Sequence, residues 1–218
     1  MQAKVSKIDP QKPDPLLIEE AAALIRAGEL VVYPTETVYG LAADAFNQRA
    51  VTKIFEVKGR SFTKPLAVCP VSLEDLNFLV EDPPSFVREI TERFLPGPLT
   101  LIFRRSRAVP SLITCGGETV GIRFPSNPIA LSLSRAVKVP LALTSANFSG
   151  YPSPVVTEQV LGGIGRRVDL ILDGGPTELK TESTVLDLTR MPPVVLREGA
   201  IPAQEIERFL RYIGVKSS

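Results

Sequence analysis

Apolar stretches alternate along this chain with polar and turn-forming stretches, and their lengths predict an interleaved set of helices and strands. Short runs of Val, Ile and Leu predict buried strands, whereas apolar residues three and four positions apart predict helices. Prolines open several predicted helices and glycines close them. The predicted helices are 16–27, 47–57, 84–95, 128–137, 157–161 and 202–213, with another opening at 72–75. The predicted strands are 30–33, 65–69, 99–103, 120–124, 141–144, 169–172, 184–188 and 194–196.

This alternation predicts an α/β fold. No internal repeat, low-complexity linker or composition break divides the sequence, so we expect a single domain over 1–218. The 218 residues are 44% hydrophobic and 22% charged, which is typical of a globular chain with a sizeable core. No apolar run is long enough for a transmembrane helix, and no apolar segment follows the basic stretch 1–7. The sequence therefore predicts a cytoplasmic protein.

Two residue types restrict the chemistry. The chain has no histidine, which excludes serine-histidine triads, histidine-bound metals and imidazole acid-base catalysis. Cys69 and Cys115 cannot build a closed zinc site alone, and we expect both to be free thiols. The net charge of +1 gives no argument for nucleic-acid binding, although a local basic groove stays possible.

Polar side chains follow several predicted strands at the points where the strands end. Thr35 and Glu36 come directly after the strand 30–33, and similar junctions occur at Arg123 and in the stretches 144–150 and 182–184. Ligands in open α/β sheets gather at strand ends, so we expect these junctions to form the walls of one pocket. For 35–37 and 144–150, a turn closed by hydroxyl or amide side chains is the alternative.

Five cationic residues lie near these junctions, namely Lys58, Arg60, Lys64, Arg123 and Arg197. Guanidinium groups bind carboxylate or phosphate bidentately, and lysine acts as a point charge. The set suits a nucleotide triphosphate together with a carboxylated substrate, while solvated surface charge is the alternative for any one member. The chain lacks a phosphate-loop motif, and the glycines at 162–165 lack the spacing of a dinucleotide fingerprint, so a nucleotide must be held in another way.

Over about 16–200 the chain resembles the YrdC-like family of threonylcarbamoyl-adenylate synthases. Eight segments match that family in order and spacing: 33–41, 58–60 with 64–66, 96–100, 120–125, 145–147, 173–175, 182–184 and 196–197. The resemblance implies synthesis of L-threonylcarbamoyladenylate from L-threonine, bicarbonate and ATP, with release of pyrophosphate, for threonylcarbamoyl-adenosine modification of tRNA. It also implies a twisted open mixed sheet with flanking helices and a large cationic cavity.

The resemblance further implies roles for individual residues. Lys58 and Arg60 would hold the triphosphate and act in catalysis. The threonine-binding residues would be Thr35, Arg123 and Ser183, with Arg123 pairing with the threonine carboxylate. The ATP-binding residues would be Lys58, Arg60, Thr119, Ser145, Asn147, Ser153 and Arg197. Mg²⁺ is the implied cofactor, held mainly by the ATP phosphates and not by a protein site.

Two positions depart from the family pattern, and one role stays open. Lys64 stands where many relatives carry asparagine, and Cys69 stands where many carry histidine, so the resemblance assigns no contact at these two places and Cys69 is given no role. Glu36 has no assigned role.

Beyond the substrates, the resemblance implies the downstream tRNA threonylcarbamoyl-transferase machinery as a partner, allows direct contact with RNA, and implies no membrane partner. A double-stranded RNA or tRNA-binding protein of the same fold without this turnover is the main alternative. A paralogous branch of the fold and a carbamoyl-adenylate domain of hydrogenase maturation are two others. Longer relatives carry a second domain that we expect this chain to lack, which leaves open how the site closes.

Overall fold

A mixed β-sheet of eleven strands forms the centre of the molecule in a computed structural model that describes residues 3–215. The strands are β1 (Lys4–Lys7), β2 (Val31–Pro34), β3 (Tyr39–Asp44), β4 (Ala67–Cys69), β5 (Val80–Glu81), β6 (Leu99–Arg105), β7 (Thr119–Arg123), β8 (Leu141–Ser145), β9 (Leu170–Asp173), β10 (Thr184–Asp187) and β11 (Val194–Arg197). The helices are α1 (Pro15–Arg26), α2 (Gln48–Lys58), α3 (Leu76–Leu79), α4 (Val87–Phe94), α5 (Ser111–Thr114), α6 (Pro128–Val137), α7 (Thr157–Gly162) and α8 (Ala203–Tyr212). The predicted domain limits at 1 and 218 lie outside the described residues.

The order of strands in the sheet is β1, β9, β2, β3, β8, β4, β7, β6, β10, β11, and β5 pairs with β6. The pairs β1 with β9, β9 with β2, β4 with β7 and β6 with β10 are parallel. The pairs between β2, β3, β8 and β4 are antiparallel, as are β7 with β6, β10 with β11 and β5 with β6. The predicted α/β fold with an open mixed sheet is therefore confirmed.

Helices pack on both faces of this sheet. On one face, α1 and α6 bury Ile25 and Leu133 against the sheet. On the other face, α2, α4 and α8 contribute the second core, which includes Phe55. Strand β2 alternates between the two cores, since Tyr33 packs in the first and Val32 in the second. A strand buried on both faces has no polar side, which explains its continuous apolar run.

Every predicted helix and strand appears within a few residues of its expected bounds, but four elements were not predicted. These are β1, β3, β5 and α5. The most important is β3, because Pro34 pairs with Tyr39 and the segment 33–41 is therefore a hairpin closed by the loop 35–38. Within the described part of the chain, no helix has both the length and the apolar character needed to cross a membrane.

Candidate functional site

A cavity of about 420 Å³ lies over the central strands, whose small and apolar side chains line it. Gly40 of β3, Leu143 of β8, Ala67 of β4 and Thr100 of β6 contribute to this lining. The neighbours β3, β8 and β4 are hydrogen-bonded to one another, so the cavity rests on a face of the sheet. The predicted strand-end junctions form walls of the cavity, but the sequence did not indicate that a face of the sheet would form its base.

The cavity brings together eight of the ten predicted site residues: Thr35, Lys58, Arg60, Arg123, Ser145, Asn147, Ser183 and Arg197. The other two, Thr119 and Ser153, are not among the residues that line it. Thr119 is exposed at the first position of β7. Ser153 is half-buried, and its hydroxyl donates to Glu182 Oε1 at 2.5 Å. The functional roles of all ten residues stay predictions.

The charges that line the cavity are mostly positive. Lys58, Arg60, Lys64, Arg123 and Arg197 face one carboxylate, which belongs to Glu182. A concave site lined mainly by cations attracts anionic ligands. Glu182 received no role from the sequence, although it lies directly before Ser183 in a matched segment. Tyr151 also lines the cavity, and no sequence signal indicated it.

The hairpin loop 35–38 forms one wall through a turn closed by a side chain. Thr35 is 2% exposed, and its Oγ1 donates to the Val38 carbonyl at 2.7 Å. The same oxygen accepts from the N–H groups of Thr37 and Val38, at 3.2 and 3.3 Å. The alternative of a hydroxyl-closed turn is thus correct for Thr35. This turn fixes Thr35 in place at the cavity wall.

Arg123 is held against this loop by a buried ion pair with Glu36. Its Nη2 donates to Glu36 Oε1 at 2.9 Å and to Thr37 Oγ1 at 2.6 Å. Glu36 is 3% exposed, does not line the cavity, and accepts the Ser126 N–H at 3.0 Å through its other oxygen. The sequence left the role of Glu36 open, and in the structure its carboxylate orients Arg123.

The Nε of Arg123 is buried and has no hydrogen-bond partner anywhere in residues 3–215. An unpaired buried donor is costly, about 1–3 kcal/mol. Arg123 also lines the cavity. This side chain is consequently suited to an anionic ligand that would accept from its remaining donors.

Lys58 lies at the end of α2, which closes at Gly59 in the left-handed conformation. The lysine is 2% exposed, and its Nζ donates to the Ser145 carbonyl, to the Asn147 carbonyl at 2.7 Å and to Asn147 Oδ1 at 3.0 Å. An ammonium group has three N–H donors, so these contacts use all of them. A phosphate can bind Nζ only by replacing one of these bonds.

The environment of Lys58 also changes its charge. Burial, and after it the positive charge of Arg60, lower the pKa of Lys58 from 10.5 to about 7, while the charge of Glu182 acts in the opposite sense. Removal of a cation from water disfavours its charged form, which is the main cause here. Lys58 therefore titrates near neutral pH.

Arg60 stabilises the loop that follows α2. Its Nε donates to the Lys64 carbonyl at 2.9 Å and its Nη2 to the Pro65 carbonyl at 2.8 Å. Burial lowers the pKa of Arg60 from its ordinary value. These two bonds fix the guanidinium plane beside Lys58, and Lys64 lines the same region of the cavity.

Arg197 and Ser183 form another part of the cavity lining. Arg197 Nη1 donates to Glu182 Oε2 at 2.6 Å, and its Nη2 donates to the Ser183 carbonyl at 2.8 Å. The Ser183 hydroxyl shares a 2.9 Å hydrogen bond with Thr100 Oγ1. The backbone packs tightly here, because a Cβ on Gly199 would lie 2.3 Å from the Glu182 carbonyl oxygen. Only glycine fits this position without a shift of the backbone.

The two cysteines are free thiols, as predicted. Cys69 is buried, and burial raises its pKa to about 12. Its Sγ lies 3.6 Å from the Pro70 carbonyl oxygen. Cys69 does not line the cavity.

The fold and the cavity define an α/β protein with a mixed sheet and a site suited to anionic small molecules. The chain belongs to the Sua5/YciO/YrdC family, whose sequence model, described as "telomere recombination", matches residues 23–199.

Two relatives are named threonylcarbamoyl-AMP synthase. The chain is 45% identical to the one from Pyrococcus abyssi (strain GE5 / Orsay) over 198 residues, which cover 91% of this chain and 58% of that protein. It is 44% identical to the one from Bacillus subtilis (strain 168) over 213 residues, which cover 97% of this chain and 60% of that protein. The chain thus spans about three fifths of the length of these relatives.

Two solved structures share the fold of this chain. P. abyssi Sua5 complexed with L-threonine superposes with a TM-score of 0.92 at 43% identity, covering 97% of this chain and 61% of that one. E. coli YciO superposes with a TM-score of 0.82 at 28% identity, covering 90% of this chain and 96% of that one.

Proposed function

We propose that this chain synthesises L-threonylcarbamoyladenylate from L-threonine, bicarbonate and ATP, with release of pyrophosphate. The relatives at 45% and 44% identity bear the name of this activity, and a related structure contains L-threonine. This chain matches about three fifths of the length of those relatives, so their activity is a proposal for this chain. The product would serve threonylcarbamoyl-adenosine modification of tRNA in the cytoplasm, through a downstream transferase.

One observation carries the proposal, namely that two different anion-binding arrangements share one cavity. Arg123 lines the cavity beside the hydroxyls of the loop 35–38, and its guanidinium suits the carboxylate of a small amino acid. Lys58, Arg60 and Arg197 line the same cavity and suit a polyphosphate. A reaction that joins an amino acid to a nucleotide needs both arrangements close together.

The residues support the following sequence of steps. Arg123 would bind the threonine carboxylate and leave the amine directed into the cavity. The amine nitrogen attacks the bicarbonate carbon, a C–N bond forms, and water leaves to give an N-carboxylate. An oxygen of that carboxylate attacks the α-phosphorus of ATP, and the bond to the β-phosphate oxygen breaks with release of pyrophosphate. Lys58 and Arg60 would stabilise the charge that develops on the departing pyrophosphate.

The proposal includes Mg²⁺ bound through the ATP phosphates. Among residues 3–215 there is no group of three or more acidic or thiol side chains that could hold a metal ion. The one carboxylate in the cavity lining, that of Glu182, is bonded to Ser153 and Arg197. The Mg²⁺ ion would arrive with the nucleotide and would neutralise part of the phosphate charge.

The test is direct. The protein is incubated with ATP, Mg²⁺, bicarbonate and labelled threonine, and pyrophosphate release and a threonine-containing adenylate are measured. We expect release that requires both threonine and bicarbonate, with reactions that lack either one as controls. Absence of release would contradict the proposal. Duplex RNA binding without release would favour the alternative of an RNA-binding protein.

A further inference from the structure

Glu182 is an acidic side chain in a cavity whose other charged lining residues are all cations, and it has no role in the proposed reaction. Its carboxylate repels every anion that the cavity would bind. Both of its oxygens are bonded to neighbours: Oε1 accepts from Ser153 Oγ at 2.5 Å, and Oε2 accepts from Arg197 Nη1 at 2.6 Å. The carboxylate thus links two residues that were both predicted to bind the nucleotide.

The hydrogen bond to Glu182 connects Ser153 to the cavity lining. Ser153 does not line the cavity, whereas Glu182 and Arg197 do. Arg197 is held on a second side by the Ser183 carbonyl, which accepts from Nη2 at 2.8 Å and from Nε at 3.3 Å. With Glu182 on one edge and Ser183 on the other, the guanidinium has a defined orientation.

The backbone of Glu182 is also firmly placed. Its carbonyl accepts from the Ala200 N–H at 2.9 Å, and it packs against Gly199, where a Cβ would clash at 2.3 Å. The segments 182–183 and 197–200 are therefore in direct contact. A carboxylate on such a fixed backbone can hold its partners with little loss of side-chain entropy on ligand binding.

We propose that Glu182 is a positioning residue whose carboxylate fixes Ser153 and Arg197 for binding of the nucleotide. This inference rests on the proposed function, because it assumes that a nucleotide occupies this side of the cavity. Glu182 acts through its two partners and not by contact with the ligand.

The first test measures the binding of AMP and of L-threonine by calorimetry, for the wild-type protein and for Glu182→Gln. Loss of one charge-assisted hydrogen bond that orients Arg197 should weaken AMP binding about tenfold, while threonine affinity changes by less than about twofold. Equal losses for both ligands would overturn the inference. The matched control is Glu205→Gln, which breaks an ion pair with Arg93 at 3.2 Å outside the cavity and should change neither affinity.

The second test separates positioning from direct contact. In a protein that already carries Ser153→Ala and Arg197→Ala, the substitution Glu182→Gln should change AMP affinity by less than about twofold, because its partners are gone. A full tenfold loss in that background would show that Glu182 acts by itself and would overturn the inference. Melting temperatures of all variants establish that they are folded.

The two proposals fail in different ways. A wild-type protein that binds AMP and shows the expected pattern of variants, but releases no pyrophosphate, would refute the proposed function alone. Equal AMP affinity of wild type and Glu182→Gln, together with threonine-dependent pyrophosphate release, would refute the positioning role alone. A wild-type protein that neither binds AMP nor releases pyrophosphate would contradict both.

Discussion

The buried ion pair between Glu36 and Arg123 gives a prediction that depends on the structure alone. The substitution Glu36→Gln removes one negative charge with almost no change in volume. The two side chains are only 4% and 10% exposed, and the pair distance is 2.9 Å. After the substitution Arg123 keeps its charge in a buried place, and the amide group of the glutamine meets a second donor at the Ser126 N–H, 3.0 Å away in the wild-type protein.

The magnitude follows from what Arg123 retains. Removal of one partner from a buried ion pair costs about 3–5 kcal/mol, because the other charge is left without compensation. Arg123 keeps its bond to Thr37 Oγ1 at 2.6 Å and faces the cavity, so we expect the lower end, about 3 kcal/mol. For a chain of this length each kcal/mol lowers the melting temperature by about 2–4 °C. The expected decrease is therefore about 6–12 °C.

The assay is thermal and urea unfolding of wild type, Glu36→Gln and two controls. Glu92→Gln breaks the exposed pair with Arg88 at 2.7 Å and should not change the melting temperature measurably. The double variant Glu36→Gln with Arg123→Met should be more stable than Glu36→Gln alone, because it leaves no uncompensated charge. If Glu36→Gln has the same melting temperature as the wild type, the ion pair between Glu36 and Arg123 does not stabilise the fold.

Three further predictions follow from the cavity. Arg123→Ala should weaken threonine binding at least tenfold, about 1.4 kcal/mol, and ATP binding much less; equal losses would contradict the carboxylate role. Pyrophosphate affinity should fall as pH rises through about 7, because Lys58, whose pKa is lowered to about 7, then loses its charge; Lys58→Arg should flatten this profile. Gly199→Ala should destabilise the fold by about 1–3 kcal/mol in urea unfolding, whereas Gly162→Ala, which meets no atom within 4 Å, should not.

Short-range patterns predicted the elements whose residues are uniform in character. Strand β2 and helix α2 were predicted because their signals lie in neighbouring residues. These signals are the continuous apolar run of β2 and the capping residues and apolar spacing of α2. Strand β3 was missed because its six residues, Tyr-Gly-Leu-Ala-Ala-Asp, include no β-branched side chain and therefore lack the usual strand pattern. Strand β1 was missed because it is a short edge strand, paired with β9 alone.

The site was predicted as a set of residues but not as a set of contacts. Thr35 and Arg123 were identified because polar groups follow apolar strands, and both line the cavity. The contact between Glu36 and Arg123 joins positions 87 apart, and so does the one between Lys58 and Ser145. Such pairs depend on the order of strands in the sheet, which local periodicity does not determine.

These contacts make the two sides of the cavity respond differently to a ligand. Lys58 has all three donors engaged by the loop that contains Ser145 and Asn147, so a phosphate exchanges one bond for another and gains only the difference between them. Arg123 has a buried Nε without a partner in the described chain, so a carboxylate that displaced its neighbours and reached this nitrogen would remove an existing penalty as well as add a bond. Per contact, the threonine side should therefore contribute more to affinity, and binding at Lys58 should displace the loop 145–147.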